Sequence, residues 1–343
     1  MYRAKKSKSA LRSLTVCAFM AGIAGPAYAH HPAASLGTGT AGPITTRTAA
    51  TLPRGKWSVS AQMHYLKLND ISDSRLEQAA AQGVEGVHGL DSILATQFGA
   101  AYGALDNVTV SVTLPVVRRT NIDEGHPEAP GIGEVEKLGD AAGLGDLAML
   151  ATWRVHDDRE RPVSAALIAG LKMPTGDTHD RSDDGSTRFE AEFQPGSGSW
   201  DPLLGGAVTA RAGSVTFAAS ILYQIATEGS QNTDLGDALS YDLAAAYRLM
   251  GGKHAHHDGT ADRHPGLDLV LEVNGEWRAK EEMSGVRDPN SGGNAIFISP
   301  GLRFSHPAGG SAWVSVGVPI TENRNGIQAD VDLRLTAGIA QTF

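Results

Sequence analysis

Apolar and polar residues alternate with a period of two through most of this 343-residue chain. Successive side chains of a β-strand point to opposite faces, so the pattern predicts strands with one apolar and one polar face. Residues 267–278 show it clearly, with Leu267, Leu269, Leu271, Val273 and Trp277 on one parity and Asp268, Glu272, Asn274, Glu276 and Arg278 on the other.

Twelve segments carry this alternation. A tilted strand needs about 9–11 residues to cross a bilayer, whereas strands of soluble sheets usually have about 5–6. The segments are long enough to span a membrane, which favours a barrel over a soluble sandwich. They are 56–68, 93–104, 107–116, 146–156, 162–173, 200–211, 214–226, 239–250, 267–278, 294–305, 310–320 and 329–343.

The connections between these segments alternate between long and short, except at 251–264. Outer-membrane barrels have short periplasmic turns and longer extracellular loops. We therefore predict an all-β, transmembrane, antiparallel barrel of about twelve strands over residues 56–343, with both chain ends in the periplasm. The mean hydropathy of −0.18 argues against a bundle of membrane helices and fits strands that turn every second residue towards water.

The first 29 residues have the three parts of a secretory signal peptide: a basic start, the apolar run 14–24, and the Ala-Tyr-Ala sequence at 27–29. We predict cleavage after Ala29, followed by a periplasmic lead-in over residues 30–55. The signal carries five of the 29 basic residues, so the mature chain keeps 24 against 38 acidic residues, a net charge of −14. Such an acidic chain is a poor candidate for binding nucleic acid.

The last segment alternates up to a terminal Phe343. An amphipathic strand that ends in Phe resembles the signal that outer-membrane assembly machinery reads in barrel proteins. We therefore expect two partners for this barrel, the lipid of the outer membrane and the assembly machinery acting through the Phe343 strand.

The polar parity of the strands provides candidates for the lumen wall. These charges either line a path for a polar or amphipathic solute, or pair with one another and close the lumen. A twelve-stranded barrel lies between filled eight-stranded and open sixteen-stranded barrels, so both alternatives stay open. The candidates are Arg154, Asp242, Arg248, Asp268, Glu272, Glu276, Arg278, Asp332 and Arg334.

Three glycine-rich strings lie around two neighbouring segments: Gly143–Leu147, Leu171–Asp177 and Gln194–Asp201. Their order and spacing resemble those of the bacterial outer-membrane transporter family of the meta-pathway of phenol degradation. The resemblance implies an outer-membrane barrel that passes small organic compounds, and it implies no catalytic residues.

Histidines are concentrated in the one connection that breaks the short-turn rule and at the start of the mature chain. Imidazoles suit Cu(II), Ni(II) or Zn(II), so one hypothesis is that these residues bind a transition metal in the periplasm. The alternative is a solvated polar loop, since the spacing matches no fixed zinc motif. The residues are His30, His31, His254, His256, His257 and His264.

The segment Asp180–Gly185 begins like a calcium loop, but Ala191 occupies the position of the last ligand, so an acidic outer loop is the plainer account. An enzyme would need a nucleophile beside a base such as His64, and no G-x-S-x-G elbow is present. We therefore expect a non-enzymatic outer-membrane channel for passive passage of small organic, including aromatic, solutes. The alternative is a closed structural or metal-handling barrel.

Overall fold

The computed structural model describes residues 42–84, 86–158, 160, 162–251 and 265–343. Within these residues, twelve antiparallel strands form a barrel in chain order, as the alternation predicted. Their bounds are β1 Trp57–Asn69, β2 Ser92–Leu105, β3 Val108–Ala129, β4 Leu147–Asp158, β5 Val163–Met173, β6 Asp201–Ala212, β7 Val215–Gln224, β8 Ala238–Met250, β9 Gly266–Arg278, β10 Gly293–Ser305, β11 Gly310–Arg324 and β12 Asp330–Thr342.

The barrel closes where β1 pairs with β12, from Ser58 opposite Thr342 to Asn69 opposite Asp330. Closure matters because hydrocarbon offers no hydrogen-bond partner to an open sheet edge. The predicted closed twelve-stranded barrel is therefore confirmed. We call the end with the short turns the inner end and the end with the long loops the outer end, following the arrangement of outer-membrane barrels.

The two parities of each strand have the environments that the alternation predicts. Leu243 and Ile339 are 61% and 62% exposed, whereas Asp268 and Glu272 are fully buried in the lumen. The aromatic residues Trp57, Trp153 and Tyr247 are also about half exposed and lie near inner strand ends. Aromatic side chains at that level form the interfacial girdle typical of membrane barrels.

The long connections fold into additional structure at the outer end. Residues 118–142, expected as a loop, instead extend β3 and form a hairpin with the strand Ile132–Leu144. The other elements are the helix α1 Asp73–Ala81, the strands Val87–Gly89, Thr233–Asp234, Glu282–Met283 and Val286–Arg287, and the 3₁₀ turn Ser230–Asn232. Among the described residues, no helix is long and apolar enough to cross a membrane.

These outer elements and the loop 174–200 pack around a hydrophobic cluster of their own, and we call them together the outer cap. Leu76 of α1, Val87, Phe189 and Phe193 are all at most 1% exposed, and they join Phe297 of β10 in one cluster. Burial of such side chains stabilises a fold by about 1.5–3 kcal/mol each. The extension of β3 pairs with the strand Ile132–Leu144 because the inward-facing apolar residues of this hairpin are buried in the same core.

The lipid-facing assignment predicts a depth-dependent cost for a charge on β8. We expect Leu243→Arg, near the middle of the strand, to lower the free energy of unfolding by about 2–4 kcal/mol, because a cation would enter hydrocarbon. Leu249→Arg, at an exposed position near the inner end of the same strand, should cost about 0–1 kcal/mol. Urea unfolding in lipid vesicles measures both. Equal costs at the two positions would contradict the proposed membrane depth.

Candidate functional site: a chamber in the barrel lumen

The residues that precede β1 lie inside the barrel. Ile44, Ala49 and Leu52 are at most 3% exposed, and backbone N–H groups of this stretch bond to lumen side chains of β3, β6, β7 and β9. We call residues 43–52 the lumen segment. The prediction of a periplasmic lead-in is therefore wrong for this part of residues 30–55, because the polar lumen offers its backbone better partners than a free tail has.

Glu272 of β9 holds the turn of the lumen segment. Its Oε1 accepts backbone N–H bonds from Ile44, Thr45 and Thr46 at 3.1, 3.0 and 2.9 Å, and its Oε2 accepts the Thr45 hydroxyl at 2.6 Å. Successive N–H groups that converge in this way form a cradle for an anion. Hydrogen bonds to an ionised acceptor are about twice as strong as neutral ones.

Small hydroxyl side chains on the polar parity of other strands accept further N–H groups of the lumen segment. Thr109 accepts the bond from Leu52 at 2.8 Å, and Thr209 accepts that from Ala49 at 3.0 Å. The chain enters the barrel beside Gly103, where a Cβ would lie 2.0 Å from the carbonyl oxygen of Pro53. Glycine is therefore required at this crossing.

A cavity of about 190 Å³ lies in the lumen above this segment. Thr45 and Arg47 form part of its floor, and Pro195, Ser197 and Leu235 of the outer loops form part of its roof. The space is thus bounded along the barrel axis by two parts of the chain that do not belong to the barrel wall. We call it the chamber.

The three glycine-rich strings meet at the side of this roof. Asp146 Oδ2 accepts the Ser197 N–H at 2.8 Å and the Lys172 ammonium at 3.1 Å, and Asp146 Oδ1 accepts the Gly176 N–H at 3.0 Å. Lys172 also lies 2.8 Å from Asp201. One residue or more of each string thus enters a single ion-paired network, which we call the motif network. It holds the loop 174–200 over the barrel.

Glycine allows this network to close. A Cβ on Gly176 would lie 2.7 Å from both the carbonyl carbon of Gly145 and the Cα of Gly196. Backbones from all three strings therefore touch at a distance that no side chain permits. This contact explains why glycine recurs in all three strings.

Guanidinium groups and apolar side chains share the chamber wall. Arg334 pairs with Glu276 at 2.6 Å, and its guanidinium carbon lies 3.9 Å from the centre of the Phe297 ring. Arg278 donates to the carbonyl of Leu235 at 3.1 Å, while its buried Nε has no hydrogen-bond partner among the described residues. Arg119, fully buried, donates to the carbonyl of Phe193.

Eight of the nine lumen candidates occupy three places in the lumen. Asp242, Glu276, Arg278 and Arg334 line the chamber. Arg248, Asp268 and Glu272 are also buried in the lumen, where Arg248 pairs with Asp268 and Glu272 holds the lumen segment. Arg154 lies at the inner rim, where it donates to the carbonyl of Asp106 at 3.0 Å.

The lumen-facing prediction is wrong for Asp332, which is exposed. The pairing of β1 with β12 passes from Lys67 opposite Leu333 to Leu68 opposite Val331, so Asp332 has no partner in this ladder. A β-bulge of this kind changes the direction of the side chain, and simple alternation cannot anticipate it.

The predicted metal ligands His30, His31, His254, His256, His257 and His264 lie outside the described residues. In the loop that begins like a calcium site, the carboxylates of Asp180 and Asp184 accept bonds from Ala142 and Ser186. His64 lies in the lumen, and its two ring nitrogens contact Gln62 and Thr336 at 2.6 and 3.2 Å. Sequence reasoning missed Asp146 and Lys172 as site residues, although it identified the strings that contain them.

A closed barrel with an apolar outer belt, short turns at one end and long loops at the other is an outer-membrane β-barrel. The family model described as "Putative MetA-pathway of phenol degradation" matches residues 91–330. The chain belongs to this family. No significant match was found among curated proteins.

Solved structures share the architecture. An outer membrane channel from Pseudomonas putida F1 has a TM-score of 0.58 at 15% identity, over 86% of this chain and 98% of that one. A mutant of the TodX monoaromatic hydrocarbon channel has a TM-score of 0.47 at 10% identity, over 86% and 92%. A FadL homologue from Pseudomonas aeruginosa has 0.41 at 9%, over 93% and 99%. The first of these similarities shows a common fold.

The hydrogen bonds of Glu272 predict that removal of its carboxylate releases the lumen segment. We expect Glu272→Ala to expose Arg47, because the cradle loses its anion and each hydrogen bond to a charged group contributes about 1.5–3 kcal/mol. Trypsin cleavage after Arg47, followed by mass spectrometry of the folded protein in detergent, should become at least about tenfold faster.

Glu282→Ala is the matched control, since this outer-loop carboxylate contacts only Arg287 among the described residues, at 3.4 Å. It should leave the cleavage rate unchanged. Continued protection of Arg47 in Glu272→Ala would show that the hydroxyl acceptors hold the segment without the carboxylate.

Proposed function

We propose that this protein is an outer-membrane channel for small organic solutes and that the chamber is the place where a solute is held. The chamber carries the proposal, because its apolar walls and polar groups converge on a space of about 190 Å³. Ligand sites in proteins are typically apolar cavities with a few placed polar groups. A cavity of about 150 Å³ already accommodates benzene. The family description, phenol degradation, is consistent with an aromatic cargo.

The chamber wall favours an amphipathic solute with a negative group. Ala95, Val117 and Leu203 supply apolar surface, while Arg119 and Arg278 bring two guanidinium groups to the same space. Guanidinium groups bind carboxylates through paired N–H bonds and stack on aromatic faces. An aromatic carboxylate or phenolate would supply both features. We therefore propose small aromatic anions as the preferred solute class.

Passage along the barrel axis depends on the lumen segment. This segment lies in the inner half of the barrel, held by Glu272, Thr209 and Thr109. A solute that continues from the chamber towards the periplasm along that axis needs the segment to move. We propose that the described conformation is the closed state. We also propose that the protein is exported by a signal peptide cleaved after Ala29 and that both chain ends lie in the periplasm.

The alternative function is a structural barrel whose lumen stays closed. The buried pair Arg248–Asp268 and the cradle of Glu272 favour it, since both rigidify the inner half of the lumen. The two functions predict different rates of solute transport through the barrel. Solute-dependent transport across a vesicle membrane supports the channel, and the absence of any transport supports the closed barrel.

A liposome-swelling panel with benzoate, phenol and a neutral sugar tests the channel and its solute class. We expect benzoate to enter fastest, and Arg278→Met to slow benzoate entry by about tenfold while phenol entry changes little, because one charged hydrogen bond is worth about 1.5–3 kcal/mol. Arg287→Met, a change at an exposed outer-loop arginine, serves as the matched control. Arg278→Lys, which keeps the charge, should retain part of the benzoate flux.

An equal loss for benzoate and phenol in Arg278→Met would assign Arg278 to the folding of the roof rather than to solute choice. No swelling with any solute, in wild type and in Glu272→Ala alike, would reject the channel.

A further inference from the structure

A buried histidine in the outer cap lies among carboxylates. His88 is on the short strand Val87–Gly89, which pairs with residues 123–125 of the β3 extension. Its Nδ1 lies 3.3 Å from Glu192 Oε1, and its Nε2 lies 3.7 Å from Glu190 Oε2 and 4.0 Å from Glu124 Oε1. Three separate parts of the outer cap therefore contribute to one cluster.

The His88 ring is held in a defined orientation. The edge-on ring of Phe193 packs against it, with centroids 4.8 Å apart. The carboxylate of Glu192 faces Nδ1 at hydrogen-bond distance, which places the proton of a neutral ring on that nitrogen. The residue is only 8% exposed, and Nε2 has no hydrogen-bond partner among the residues that the structure describes.

The geometry of the cluster suits a metal ion. The Nε2 atom of His88 lies 3.7 Å from a carboxylate oxygen of Glu190 and 4.0 Å from one of Glu124. Zinc binds imidazole nitrogen and carboxylate oxygen at about 2.0–2.2 Å, so neighbouring ligands of a tetrahedral site lie roughly 3–4 Å apart. Metal-binding histidines usually donate their second N–H to a carboxylate, which is the position that Glu192 Oε1 occupies here.

The charge around the cluster also favours a cation. Three carboxylates, those of Glu192, Glu190 and Glu124, lie within 3.3–4.0 Å of a single imidazole.

We propose that His88 and Glu190, oriented by Glu192, bind a divalent transition-metal ion of the zinc class in the outer cap, with Glu124 in reach as a further ligand. A nitrogen ligand among carboxylates distinguishes this site from calcium and magnesium sites, which are built from oxygen. The ion would link the strand Val87–Gly89, the β3 extension and the loop 174–200. The same loop forms part of the chamber roof through Pro195 and Ser197.

The test must separate this site from the histidine-rich segments of the sequence. The background is therefore the full-length protein with six substitutions: His30→Ala, His31→Ala, His254→Ala, His256→Ala, His257→Ala and His264→Ala. Equilibrium dialysis of the protein in detergent against Zn²⁺ should give one ion per chain in this background. Far-UV circular dichroism checks that each variant keeps its barrel.

In this background, His88→Gln and Glu190→Gln should each weaken Zn²⁺ binding by more than about 100-fold, because each removes a ligand. Glu192→Gln should weaken it by about 10–100-fold, the usual effect of losing the carboxylate that orients a metal-binding histidine. The matched control is His179→Gln, an exposed histidine on the same loop, which should bind Zn²⁺ like the background. Zinc-edge X-ray absorption should lose its imidazole signal in His88→Gln only.

Three results would overturn the proposal. Zn²⁺ binding that is unchanged in His88→Gln would place the ion elsewhere, and the absence of bound Zn²⁺ in the background would leave a charged histidine–carboxylate cluster. Ca²⁺ that competes with Zn²⁺ at equal concentration would likewise contradict a site built around imidazole nitrogen.

Discussion

The pairing of the first strand with the last is the interaction on which the rest of the structure depends. A spanning sheet with a free edge would leave its N–H and C=O groups without partners in hydrocarbon, at a cost of several kcal/mol each. The ladder from Ser58–Thr342 to Asn69–Asp330 removes that edge. Closure then divides every strand into a lipid face and a lumen face, and it encloses a polar interior.

The polar groups inside a barrel of this width need hydrogen-bond partners, and other parts of the same chain provide them. The amides of the lumen segment meet the carboxylate of Glu272 and the hydroxyls of inward threonines. At the outer side, Asp146 and Lys172 fold the loop 174–200 across the barrel. The chamber is the space left between these two insertions, so its size and lining follow from both rather than from the barrel wall alone.

The outer loops of this barrel are structured because they share a hydrophobic core with the upper parts of the strands. Leu76, Val87 and Phe193 are buried together with Phe297 of β10. Close packing in this core fixes the positions of nearby polar groups. The His88 ring, which lies against Phe193 and faces Glu192, is one of these groups. The loop 174–200, which forms part of the chamber roof, therefore also contributes to this polar cluster.

The sequence by itself determined the strand number, the order of long and short connections, the lipid face and the family, because alternation and motif spacing are local properties. It also indicated Asp242, Glu276, Arg278 and Arg334, which alternation places on the lumen face. Only the tertiary structure decided the position of residues 43–52, since Glu272 meets Thr45 across 227 positions of the chain. The bulge at Asp332, the motif network and the His88 cluster likewise depend on contacts between distant segments, which no local pattern encodes.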